Sequence, residues 1–161
     1  MDRRLTRIYL NDHVALLALL ADVAERSAKS NRGSPLGAWL VELRRELLSQ
    51  RETLERAMGR LRLRRSQPKV ALARFGQRIG QLKLNGRLTS YSPLSRVFEL
   101  ESLLAGVEAN RAALESLRLL GDPRLDGFDF GALARAAGVQ HDELERFRRE
   151  AVATALSRTA S

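Results

Sequence analysis

Four prolines constrain this chain more than any other feature. Pro35, Pro68, Pro93 and Pro123 each follow a polar residue, and each sits where a periodic apolar pattern starts or has just ended. A proline inside a helix costs about 3 kcal/mol, so all four read as boundaries and cut the chain into five pieces. Ser34 and Ser92 stand directly before two of them. A serine hydroxyl caps free amides, and proline at the first helical position gives up no hydrogen bond. The stretch from Leu82 to Glu101 therefore closes one segment and opens another, with Asn85-Gly86 inside it as a turn signal.

The first piece, about Arg4 to Asn31, reads as a helix that is apolar on nearly every side around Leu16, Leu17, Leu19 and Leu20. Such a helix is contacted from several directions, which predicts either coverage by the crossover or a contact between two copies. The turn Asn31-Arg-Gly-Ser-Pro35 is short, so the second helix runs antiparallel to the first. Its stripe is Leu36, Leu40, Leu43, Leu47, Leu54, Met58 and Leu61, interrupted by Gln50. A third helix starts at Pro93, with Val97, Leu100, Leu104, Val107, Leu114 and Leu117 as its stripe and Gly106 as a point of close approach. Gly121-Asp-Pro123 ends it. The last helix is capped by Asp129, runs to about Ser157, and turns Leu133, Ala137, Leu144, Phe147, Ala151 and Val152 inward.

A chain of 161 residues is one domain of ordinary size. Leucine and alanine dominate its 44% of apolar residues and aromatics supply only 5%, which favours helix over sheet. Cysteine is absent, excluding disulfides, thiol nucleophiles and thiolate metal sites and fitting the cytoplasm. The apolar run Val14–Ala21, with Arg3, Arg4 and Arg7 before it, has some features of a targeting segment. Asp12, His13 and Asp22 bound it and the helical pattern continues past them, so it reads as a buried helix.

The basic charge is uneven. Between Arg56 and Phe98 stand eleven basic residues and no acid, in a chain of net charge +9. Arginine supplies 25 of the 28 basic residues, so base composition contributes. Absence of every carboxylate over 43 residues goes beyond that and predicts attraction for an acidic partner. The candidate polyanion contacts are Arg60, Arg62, Arg64, Arg65, Lys69, Arg74, Arg78, Lys83 and Arg87. Pro68 to Lys83 reads as a short amphipathic helix, with Leu72, Phe75, Ile79 and Leu82 on one side.

Two long antiparallel helices, a crossover over about 61–92 carrying a short helix, then two more long helices resemble the ferritin-like four-helix bundle. Lys83-Leu-Asn-Gly-Arg-Leu88, Tyr91-Ser-Pro-Leu-Ser-Arg-Val-Phe-Glu-Leu-Glu101 and Gly106-Val-Glu108 are similar to segments of uncharacterised bacterial ferritin-like proteins. A di-metal centre in that fold takes Glu-x-x-His pairs from two helices. Here Leu10 and Gly138 precede the two histidines, His13 and His141, by three, and Glu46 is followed at that spacing by Ser49. The resemblance therefore implies the bundle without its metal ligands, and no cofactor is expected. Both histidines read as partly exposed surface side chains.

No catalytic constellation appears: there is no Gly-x-Ser-x-Gly elbow and no phosphate-cradling glycine loop. Ala132 to Phe147 imitates a helix-turn-helix, but its recognition position would hold Gln140, His141, Asp142 and Glu143. Carboxylates there would meet DNA phosphates, so one long helix is the better reading. The expectation is a non-catalytic, cytoplasmic bundle acting by self-association or with a protein partner, with no small-molecule substrate. Binding of nucleic acid or anionic membrane through the basic crossover is the alternative, and a metal-dependent oxidoreductase the minor one.

Overall fold

The computed structural model describes residues 1–65 and 91–157. Among them the chain forms four long helices and no strand: α1 Arg3–Ser30, α2 Pro35–Arg60, α3 Pro93–Leu120 and α4 Phe130–Leu156, with a 3₁₀ turn at Pro123–Leu125. The local chemistry explains the ends. Ser34 accepts from the Gly37 amide, Ser92 and Ser95 form a reciprocal capping box, and Asp129 accepts from the Ala132 amide. Gly121, in the left-handed region at φ 58°, closes α3. α4 is uninterrupted through Gly138, so the helix-turn-helix lookalike is one helix. The expected short helix from Pro68 to Lys83 lies outside the described residues.

The helices form two antiparallel hairpins, α1/α2 and α3/α4, joined mainly by α1 against α3, while α2 touches α4. Hydrogen bonds give the directions. Tyr9 near the start of α1 donates to Ser116 near the end of α3, and Asn31 after α1 donates to Tyr91 before α3. Arg3 reaches the carbonyls of Leu61 and Arg62, just beyond α2. So α2 and α3 run parallel, and the chain leaves α2 at one end of α1 and enters α3 at the other. Among the described residues no helix is long and apolar enough to cross a membrane.

The core is aliphatic. All seven residues of the α2 stripe are buried, and Leu10, Leu17, Leu20, Leu100, Leu103 and Leu114 are fully enclosed; each such leucine contributes about 1.5–3 kcal/mol. Gly106 is a close approach: a Cβ there would overlap the Leu20 side chain, with Leu20 Cγ 2.9 Å away. Some expectations need correction. Leu103 rather than Leu104 is fully buried, and Leu133 and Val152 are half-buried while Phe130 and Ala134 are internal. Gln50 does not interrupt the seam but lies inside it. Leu16, Leu17 and Leu20, expected to be covered by the crossover or by a second copy, are buried in the chain's own core, and Leu19 is half-buried. A helix packed against both α2 and α3 buries several faces without a second copy.

His13 is half-buried and packs edge-on to Tyr9, ring centroids 4.6 Å apart. Burial disfavours the imidazolium and lowers its pKa below the ordinary 6.5, against a smaller opposite pull from Asp12. A group with a depressed folded pKa leaves stability intact above its unfolded value and removes it as pH falls through the folded value. The fold should therefore weaken as pH drops from 7.5 to 5, and His13→Gln should flatten that slope. Urea midpoints at both pH values measure it; equal slopes in the two proteins would contradict the assignment.

Candidate polyanion site

The antiparallel α1/α2 hairpin brings the first turns of α1 beside the last turn of α2, and both carry arginine. Arg3, Arg4, Arg7, Arg62 and Arg64, with Leu63, line a recess of about 330 Å³. All five arginines are exposed. Two α1 side chains hold the segment after α2 in place. The Arg3 guanidinium donates to the Leu61 carbonyl at 3.2 Å and the Arg62 carbonyl at 2.8 Å. Buried Asn11 donates to the carbonyls of Arg7 at 2.7 Å and Arg64 at 3.3 Å. Leu61 and Leu63 are buried, so the intervening arginine is turned outward.

The backbone here carries a local cost. α2 ends in a Schellman arrangement: the Leu63 amide donates to the Met58 carbonyl and the Arg62 amide to the Gly59 carbonyl. The first position after the helix cap in this arrangement is left-handed, normally glycine. Arg62 occupies it at φ 53° and is the one non-glycine residue with positive φ among those described. For an L-residue that conformation costs roughly 1–2 kcal/mol.

A second recess of about 590 Å³ opens at the same end, lined by Arg56, Arg60, Arg124 and Phe128 among others. Four carboxylates near this end are already engaged. Asp2 and Asp129 cap α1 and α4. Glu55 lies 3.2 Å from Arg51 and 3.1 Å from Arg65. Asp122 grips Arg124 at 2.6 Å, and that hydrogen bond, chiefly, pulls its carboxyl down to about 2.

Of the residues expected from sequence, Arg62 and Arg64 meet in the first recess, and Arg60 lies at the second. Arg65 is paired with Glu55. Lys69, Arg74, Arg78, Lys83 and Arg87 lie outside the described residues. Arg3, Arg4, Arg7 and Asn11 were missed as partners of this cluster. The available signal was the short turn, since an antiparallel hairpin must bring the basic start of α1 beside the basic end of α2.

The bundle centre holds amides. Asn110 donates to Gln50 at 2.6 Å, with both residues buried, and Gln140 donates to half-buried Glu46 at 2.7 Å. Among the described residues no three His, Cys, Asp or Glu side chains gather as a metal-holding group. His13 and His141 are both partly exposed, as expected from sequence, and His141 sits beside Asp142. Comparison with protein-family models, with curated proteins and with solved structures finds no match to this chain.

Proposed function

We propose that this protein is a ferritin-like bundle that acts by association rather than catalysis, and that its arginine end holds a phosphate-rich polymer. Support for the fold reading comes from the parallel α2 and α3, entered and left at opposite ends of α1. The observation that carries the function is Arg62, an arginine where the backbone calls for glycine. Strain of this kind persists where the side chain has a use. Arginine's planar fork suits phosphate, and clustering like charges offsets no folding cost of its own. Self-association has less behind it, because Leu16, Leu17 and Leu20 face inward. Absence of cysteine from the whole sequence fits a reducing, cytoplasmic setting.

Two variants test this reading. Arg62→Gly should raise stability to urea by about 1 kcal/mol while weakening binding of fluorescent single- and double-stranded RNA and DNA. The triple variant Arg4→Gln, Arg7→Gln, Arg64→Gln should leave helicity unchanged. About four phosphate contacts would weaken wild-type binding on the order of a hundredfold between 50 and 200 mM salt. The triple variant should flatten that dependence. Binding that ignores salt, or binding of anionic vesicles but of no nucleic acid, would overturn the proposal.

A further inference from the structure

A second surface lies at the opposite end of the α1/α2 hairpin, where its turn is made, and it is chemically unlike the arginine end. A groove of about 800 Å³ runs between the last turns of α1 and the first turns of α2. Its existence follows from small residues. Gly37 is so close to the preceding turn that a Cβ would overlap the Asn31 carbonyl, and Ala28 and Ala38 leave a trough where larger side chains would fill it. Pro35, Ala38 and Val41 repeat every three residues along α2 and are all exposed, Val41 by 56%. Glu25, Ala28 and Lys29 supply the α1 wall at the spacing of one helix face, and Arg32 follows in the turn. The lining comes from this single hairpin and its turn.

The charge around this apolar floor is lopsided. Lys29 and Arg44 share one carboxylate, Glu25, at 2.7 and 3.2 Å. Arg32 is exposed on the same rim and forms no ion pair among the described residues. Three cations against one acid leave an uncompensated positive border around an apolar trough.

We propose that this groove receives a short amphipathic helix of a partner protein, with aliphatic anchors flanked by Asp or Glu. A V-shaped trough between two antiparallel helices is the shape into which a third helix packs. On the α2 side the lining runs from Pro35 to Arg44, about 14 Å along the helix, room for about two turns of the incoming helix. An anchor would seat on Ala28, Ala38 and Val41, while its carboxylates meet Arg32 and the unmatched cation of the Lys29/Arg44 pair. So small a contact gives micromolar affinity rather than an obligate complex.

The probe is a fluorescein-labelled, 18-residue helical peptide with leucines on one stripe and glutamates beside them. Three controls accompany it: a scrambled peptide of the same composition, a version with lysine for glutamate, and dodecanoate. The full chain should bind the acidic amphipathic peptide at least tenfold more tightly than either control peptide. Val41→Ser and Ala38→Gln change no charge and sit at exposed positions, and each should weaken binding about tenfold without altering circular dichroism. Arg32→Glu leaves two cations against two acids and should abolish the preference for the glutamate peptide over the lysine peptide. The Arg4, Arg7, Arg64 triple variant should bind the peptide as wild type does, which separates this surface from the arginine end. Equal binding of the scrambled peptide, indifference to Val41 and Ala38, saturable binding of dodecanoate in place of peptide, or a homodimer closing this face would each overturn the proposal.

Discussion

Gly37→Ala is expected to be among the most damaging single-methyl changes in the chain, lowering stability by about 2–3 kcal/mol. The new Cβ would overlap the Asn31 carbonyl oxygen and lie 2.8 Å from its carbon. That oxygen cannot retreat freely. It already accepts from the Ser34 amide at 3.1 Å and the Ser34 hydroxyl at 2.7 Å, and those bonds build the α1/α2 turn. The obstacle is backbone held by its own hydrogen bonds, not the end of a flexible side chain. Gly59→Ala is the matching control, because nothing lies within 4 Å of a Cβ there and no left-handed backbone is required. Helix propensity alone then decides, and the control should gain up to about 1 kcal/mol. Urea unfolding of both variants measures the contrast. If both shift in the same direction, steric contact at Asn31 is not what governs the turn.

Asn110→Leu is the second large effect. It removes the donor that reaches Gln50 Oε1 at 2.6 Å and leaves that carbonyl buried without a partner. An orphaned buried amide costs about 1–3 kcal/mol, whereas replacing both partners by apolar groups is close to neutral. Gln50→Leu alone should therefore be costly too, and the double variant should recover most of the loss. A double-mutant cycle should return a coupling of about 1–3 kcal/mol. Strictly additive losses would show that the two amides act independently. The pair joins α2 of one hairpin to α3 of the other, so the double variant should keep its stability yet lose some uniqueness of hairpin register. Broadened amide resonances in its NMR spectrum are the expected sign.

The two proposed surfaces were only partly legible in the sequence. Arg60, Arg62, Arg64 and Arg65 stood out because acids are missing around them. Arg3, Arg4 and Arg7 were visible as charges but not as neighbours of that cluster, which depends on the antiparallel hairpin. Nothing in the order of residues distinguishes Arg62 from Arg64, yet one stands in left-handed backbone. The groove at the other end was not legible at all. Its floor consists of small residues whose separate roles in a helix are unremarkable, and only packing two helices together makes a trough of them.

What the sequence determined by itself is the four long helices and their capped starts. Ser34-Pro35, Ser92-Pro93 and Asp129 act on amides one turn away, and the apolar stripes repeat within a single helix, so both are written in neighbouring residues. Only the tertiary structure decided what each stripe meets. Gln50 lies in the core because Asn110, sixty residues away, supplies its donor. Leu16, Leu17 and Leu20 are covered from within because α2 and α3 both pack on α1. The physical reason is range: caps and periodicity act over a few residues, whereas burial, pairing and backbone strain depend on side chains that folding alone brings together.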